Sequence, residues 1–183
     1  MRAARAGSPL AVSRTRQTAR VLAFAIAIGA CRSMPLQTDP HALLAASLAP
    51  RREVALDGAM VAIPASGRVT VVDVWATTCT PCMRMMPGIE ALYEEKGAAG
   101  LAVIGVATDD NPGLVQERLR ALGITYPNIV DAEGGVRGAL RVDALPTTFV
   151  VGRDGRVRVV QVGGTPESLV ILRNAVASLM AEP

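Results

Sequence analysis

The chain has 183 residues, 50% of them in the hydrophobic set and 19% charged, with 3 cysteines, 1 histidine and a formal net charge of +3. That length suits one domain with a short extension, and a half-apolar chain buries enough surface to offset its ordering entropy, which excludes low-complexity disorder. The positive charge does not mark a nucleic-acid-binding surface. Arg2, Arg5, Arg14, Arg16 and Arg20 all precede residue 31, so without residues 1–30 Lys+Arg falls from 19 to 14 against 16 Asp+Glu, and +3 becomes −2.

Residues 21–30 are apolar without interruption and follow the arginine-rich stretch. As a helix they rise only ~15 Å, about half of the ~30 Å hydrocarbon core of a bilayer, which argues against a membrane span. A positive segment, a short apolar run and small residues make a secretory signal over residues 1–30. Ile28-Gly29-Ala30-Cys31 also resembles a bacterial lipobox, which implies lipid attachment at Cys31. Residues 31–51 then read as a tether with a root-mean-square reach of roughly 25 Å, in which Asp39-Pro40 could cap a short helix over residues 41–48. The one histidine, His41, falls in this tether. The domain, residues 52–183, therefore has no Cys-His or Ser-His pair, which removes most hydrolase mechanisms.

Within the domain, residues 53–56 and 60–63 predict a hairpin turning at Asp57-Gly58. The β-branched run 69–75 predicts a central buried strand. Residues 80–96 predict a helix that Pro87 should kink or interrupt. A second buried strand is expected over 101–107. Asn111-Pro112 should then open a helix ending near Gly123, with Leu114, Val115, Leu119 and Leu122 on one face. Residues 124–130 suggest an extended segment and 133–140 a short helix. Strands over 147–151 and 156–162 are joined at Arg153-Asp154-Gly155, and Thr165-Pro166 starts a last helix that turns Leu169, Leu172, Val176 and Leu179 inward. The succession implies an α/β fold, a mixed sheet covered by helices.

The chemistry sits at the end of the strongest strand, in Trp75-Ala76-Thr77-Thr78-Cys79-Thr80-Pro81-Cys82. A Cys-x-x-Cys at a strand-to-helix junction sets the first sulfur beside unpaired helix N-terminal amides, which favour thiolate over thiol. Cys79 is then the nucleophile. Cys82, almost one turn later, can attack a mixed disulfide on Cys79 and release the product.

From about residue 53 to residue 180 the sequence resembles the TlpA/ResA branch of thioredoxin-fold thiol-disulfide oxidoreductases. The likeness rests on the hairpin, the Trp-Ala-x-x-Cys-x-Pro-Cys segment, Met86-Pro87, and Leu145-Pro146-Thr147-Thr148-Phe149-Val150 before Asp154-Gly155. It implies a thioredoxin-like three-layer fold with an N-terminal β-hairpin. It further implies a cis proline at Pro146, substrate pairing with the Leu145 backbone, and a substrate rim of Trp75, Thr78, Pro81, Leu145, Pro146 and Thr147. Asp73 matches the buried acid of thioredoxins and would take the Cys82 proton. The implied partners are disulfide- or thiol-containing proteins outside the cytoplasm and a membrane thiol carrier that supplies electrons. No cofactor beyond the Cys79/Cys82 disulfide and no nucleic acid is expected.

Three positions depart from the family pattern. Thr78 replaces a usual tryptophan, Met85 replaces a usual glutamate, and Gly105 stands where thioredoxins place a lysine facing the acid. A peroxiredoxin mechanism is not expected, since Ala76 occupies the place of its activating threonine. A four-ligand zinc site within the chain lacks a second Cys-x-x-Cys or a nearby histidine. The alternative is a Cu(I) carrier using Cys79, Cys82, Met83, Met85 and Met86, although core packing is the simpler role for the methionines. Asp109-Asp110 is expected to cap the following helix.

Overall fold

A computed structural model of the chain describes residues 40–109 and 111–182. The expected signal segment, Cys31 and the first part of the tether lie outside the described residues.

Two runs that are apolar on both faces, Thr70 and Asp73 apart, form the centre of the fold, because only a strand covered on both faces lacks a polar side. These are β3 (Val69–Trp75) and β4 (Leu101–Ala107), buried at every position and paired in parallel. β5 (Asn128–Val130) continues the sheet beyond β4, in parallel. On the other side β6 (Thr147–Val151) and β7 (Val157–Val162) run antiparallel, giving the order β5-β4-β3-β6-β7. A separate hairpin of β1 (Arg51–Val54) and β2 (Met60–Ile63) precedes them, its first strand starting two residues earlier than expected. Among the described residues, four α-helices complete the domain: α1 (Thr80–Lys96), α2 (Pro112–Leu122), α3 (Gly135–Ala139) and α4 (Pro166–Ala181).

Strand periodicity splits the core into two layers. On one face of β3, Val69, Val71 and Trp75 pack with Met86 and Ile89 of α1, Val115 of α2, and Leu172 and Val176 of α4. On the other, Val72 and Val74 join Phe149 of β6, Ile63 of β2, Val136 of α3 and Leu43. The architecture is the expected thioredoxin-like one.

The differences from the sequence reading have local causes. Pro87 does not interrupt α1, which runs unbroken from Thr80 to Lys96 with Pro87 on its exposed side. Leu114 is 48% exposed, leaving Val115 and Leu119 as the buried residues of α2. The short helix expected over 41–48 is only a 3-10 turn, Pro40–Leu43. The residues after it do not hang free as a tether. Ala45 N–H donates to the Val157 carbonyl at 2.8 Å, Val157 N–H to Ala46 at 3.0 Å, and Leu48 N–H to Gly155 at 2.8 Å, while Ser47 bridges Arg156. This segment covers the open edge of β7, where unpaired backbone would otherwise invite another chain. Among the described residues no helix is long and apolar enough to cross a membrane.

Candidate active site

The C-terminal end of β3 delivers the chain directly into α1, and Cys79 is the N-cap of that helix. Its backbone is extended (φ −87°, ψ 95°), and its Sγ accepts the Cys82 N–H at 3.2 Å. Pro81 sits in the first turn, where its missing N–H removes no intrahelical bond. Cys79 and Cys82 are disulfide-bonded with Cα atoms 5.3 Å apart. Their environments differ sharply: Cys79 is partly exposed, whereas Cys82 is completely buried. A partner's sulfur can therefore reach only Cys79. The helix-terminal amides around its Sγ stabilise negative charge there.

Two loops close on this turn. The Leu145-Pro146 peptide is cis, as expected, and Ile63-Pro64 is a second cis bond that the sequence did not suggest. Pro146 is buried and its carbonyl accepts the Gly163 N–H at 2.8 Å. Gly164 shows how tightly the three segments meet. A methyl group there would stand 2.8 Å from the Pro81 carbonyl oxygen, 3.1 Å from Met85 Sδ and 3.2 Å from Pro146 Cγ. Gly164 thus lets the β7–α4 loop lie against both the cysteine turn and the cis proline. Only knowledge of which loops converge would have singled it out.

The expected substrate rim divides in two. Thr78 is exposed, and Pro81 and Leu145 are half-buried, so these surround Cys79 at the surface. Among the described residues, no hydrogen bond engages the Leu145 backbone N–H or carbonyl. Trp75 and Thr147, by contrast, are fully buried and are not part of a binding rim. Both side chains point into packed layers because both residues lie within strands. Trp75 Nε1 donates to Asn128 Oδ1 at 2.8 Å, and Thr147 Oγ1 donates to the Ala144 carbonyl at 2.7 Å. Trp75 anchors the base of the site, and Thr147 braces the loop that carries the cis proline.

Asp73 is 1% exposed and lies on the same face of β3 as Trp75, toward α1. Thr148 Oγ1 donates to its Oδ1 at 2.9 Å, and Oδ2 has no partner among the described residues. Burial raises its pKa from 3.8 to about 6 against the opposing Thr148 hydrogen bond. The family lysine is absent for a visible reason. Gly105 pairs with Asp73 across β3 and β4, and a Cβ at Gly105 would fall 1.8 Å from Asn128 Oδ1. The Asn128 amide occupies that space and uses it to hold Trp75.

Asp109 does not cap α2. Asn111 does so, accepting the Gly113 and Leu114 N–H groups. Asp109 instead accepts the Thr77 N–H at 2.9 Å and the Thr77 hydroxyl, fastening the loop that leads to Cys79. Glu90 on α1 was also missed. Buried at 6% exposure, it accepts the Thr125 N–H at 2.8 Å, the Thr125 hydroxyl and the Tyr126 N–H at 3.3 Å, tying the approach to β5 onto α1. Met85 and Met86 are 1% and 0% exposed inside the core, which is the packing role and does not favour a copper site.

A mixed sheet flanked by helices, with a disulfide-bonded Cys-x-x-Cys at a strand-to-helix junction beside a cis proline, defines a thioredoxin fold. The Redoxin family model matches residues 44–179, and the chain belongs to that family. Among curated relatives, the thiol-disulfide oxidoreductase ResA of Halalkalibacterium halodurans is 32% identical over 104 residues, covering 57% of this chain and 59% of the relative. ResA of Geobacillus kaustophilus is 30% identical over 97 residues, covering 53% and 56%. The chain thus matches little more than half the length of these relatives. Two solved structures share the fold. A thiol:disulfide interchange protein of the thioredoxin family from Chlorobium tepidum superposes with a TM-score of 0.65 at 23% identity, covering 74% of this chain and 96% of that one. StoA from Bacillus subtilis gives 0.61 at 20% identity, covering 69% and 95%.

Proposed function

We propose that the protein is a membrane-tethered, extracytoplasmic thiol-disulfide oxidoreductase that reduces disulfides of partner proteins, in cytochrome c maturation or a similar task. The observation that carries the reading is the unequal burial of one cysteine pair: an accessible Cys79 at a helix N-terminus and a fully buried Cys82. In the reduced protein the Cys79 thiolate attacks a partner disulfide. A Cys79–partner bond forms, and the partner's other sulfur leaves as thiolate. The Cys82 thiol then passes its proton to the Asp73 carboxylate and attacks Cys79 Sγ. The Cys79–Cys82 disulfide forms, the partner is released as a dithiol, and two electrons have moved to it. A membrane thiol carrier returns the electrons by the reverse exchange. The partner's chain would pair with the free backbone of Leu145, beside Thr78 and Pro81. No group beyond the disulfide is needed.

The direction of electron flow depends on the potential. A glutathione titration of the Cys79/Cys82 pair should give a value toward the reducing end of the superfamily, nearer roughly −270 mV than −120 mV. A value at the oxidising end overturns the reductase assignment.

Tethering rests on the arginine-rich leader, the apolar run 21–30 and Cys31. Mass spectrometry of the protein from membranes should find a chain that begins at a diacylglyceryl-modified Cys31. An unmodified thiol there refutes the lipid anchor.

A further inference from the structure

A turn, not a strand or a helix, carries the nucleophile. Cys79 N–H donates to the Ala76 carbonyl at 3.0 Å, so Thr77 and Thr78 form the corner of a β-turn between β3 and α1. Cys82 needs no such support, because it lies inside α1 and is completely buried in the core. The sulfur whose position depends on the turn is that of Cys79.

The end of β4 grips this turn at two points. Thr108 N–H donates to the Trp75 carbonyl at 2.9 Å, extending the β3–β4 pairing by one bond. One residue on, Asp109 turns both carboxylate oxygens to Thr77. Its Oδ2 accepts the Thr77 N–H at 2.9 Å, and its Oδ1 accepts that N–H at 3.2 Å together with the Thr77 hydroxyl. Among the described residues Asp109 forms no ion pair, and Asn111 caps α2 without it. The carboxylate therefore serves one residue, 32 positions away in sequence and two before Cys79. Hydrogen bonds to an ionised acceptor are the stronger kind, and here they fix the corner of the turn to the sheet.

We propose that Asp109 is a positioning residue for Cys79: by clasping Thr77 it holds the reduced nucleophile against Cys82 and so sets the effective concentration at which the pair closes. Closing the disulfide orders the loop that carries Cys79. With the clasp in place the loop is already ordered in the dithiol, and the effective molarity of one sulfur for the other is high. Without it the dithiol gains freedom that the disulfide must then remove, and the oxidised state is disfavoured by that amount. The relevant equilibrium converts the protein dithiol and oxidised glutathione into the protein disulfide and two reduced glutathiones. Two electrons and two protons pass from the Cys79/Cys82 thiols to the glutathione sulfurs. The proposal rests on the exchange chemistry given above for this pair, and on neither the direction of electron flow nor the identity of a partner.

The test is that equilibrium, read by thiol alkylation of the full chain in glutathione buffers at one pH. Asp109→Ala should lower the equilibrium constant about ten-fold, which raises the potential by roughly 30 mV. Thr77→Val keeps the N–H and loses the hydroxyl, so it should lower the constant about three-fold, and Thr77→Ser should restore it. The Asp109→Ala, Thr77→Val double variant should match Asp109→Ala alone, because the two side chains act through one contact. A residue that only braces the fold would lower the melting temperature and leave the constant unchanged, and that result overturns the proposal. So does a double variant whose loss is the sum of the single ones. Should Asp109→Ala not fold, amide hydrogen exchange of the wild-type protein decides. The Thr77 N–H must be protected in the dithiol as in the disulfide, and free exchange in the dithiol overturns the clasp. A wild-type potential at the oxidising end refutes the reductase assignment, while the ratio of variant to wild type still upholds or overturns the role of Asp109.

Discussion

Cys79→Ser should lose partner-disulfide reduction by at least about a thousand-fold, because among the described residues no other exposed thiolate is left to begin the exchange. Cys82→Ser should behave differently. It retains the first attack but cannot resolve it, so the protein accumulates as a mixed disulfide with its partner on Cys79. Non-reducing electrophoresis after incubation with a disulfide-containing protein distinguishes the two. The asymmetry follows from burial: Cys79 is partly exposed and Cys82 is sealed beneath it. Equal trapping by both variants would mean that either sulfur can be reached and would remove the assignment of roles. The same experiment in membranes, using Cys82→Ser as bait, identifies the partner.

Asp73→Asn should slow resolution of a mixed disulfide roughly a hundred-fold at pH 7, the usual scale for losing a positioned general base. The deficit should shrink toward pH 9, where solvent can deprotonate Cys82 unaided. The same substitution should stabilise the oxidised protein. With its pKa raised from 3.8 to about 6, the folded state binds a proton more readily than the unfolded state does. Below pH 3.8 the carboxyl is neutral in both states and costs nothing. As pH rises through 6 the buried carboxylate's penalty develops in full, reaching about 3 kcal/mol. Wild-type stability attributable to Asp73 therefore falls between about pH 4 and pH 6. Asp73→Asn should remove that slope and gain up to about 3 kcal/mol at pH 7, as read by urea denaturation at pH 3.5 and pH 7. An unchanged pH slope would show that Asp73 is not an unfavourably buried acid. An unchanged resolution rate would show that it is not the proton acceptor.

Much of this site was legible in one dimension because its parts are contiguous. The run 69–75 ending at Cys79-Thr80-Pro81-Cys82 contains a buried strand, an N-cap and a proline suited to a first helical turn. Local sterics and backbone hydrogen bonding place the two sulfurs one turn apart whatever the rest of the chain does. The resemblance supplied Pro146, which is remote in sequence. It does not fix orientation: it places Trp75 and Thr147 in the binding rim, but the sheet buries both. The methionines after Cys82 looked like soft ligands, yet α1 turns Met85 and Met86 into the core.

The residues missed are those whose roles depend on distant partners. Gly164 matters because Pro81 and Pro146 lie against it. In the sequence Asp109 stands where a cap for the following helix is expected, but its carboxylate accepts from Thr77 across the β3–β4 crossover. Tyr126 and Glu90 lie 36 residues apart and have no motif in common.

The charge of +3 depends on five arginines before residue 31, and that much is readable from composition and position alone. The sequence by itself also determined the strand order of apolarity, the helix starts and the cysteine pair, since each depends on neighbours within one or two turns. Only the tertiary structure decided which cysteine of the pair is exposed and which acid is stranded without full hydrogen bonding. Burial and pairing are properties of packed layers, and no local pattern encodes which layer a side chain will meet.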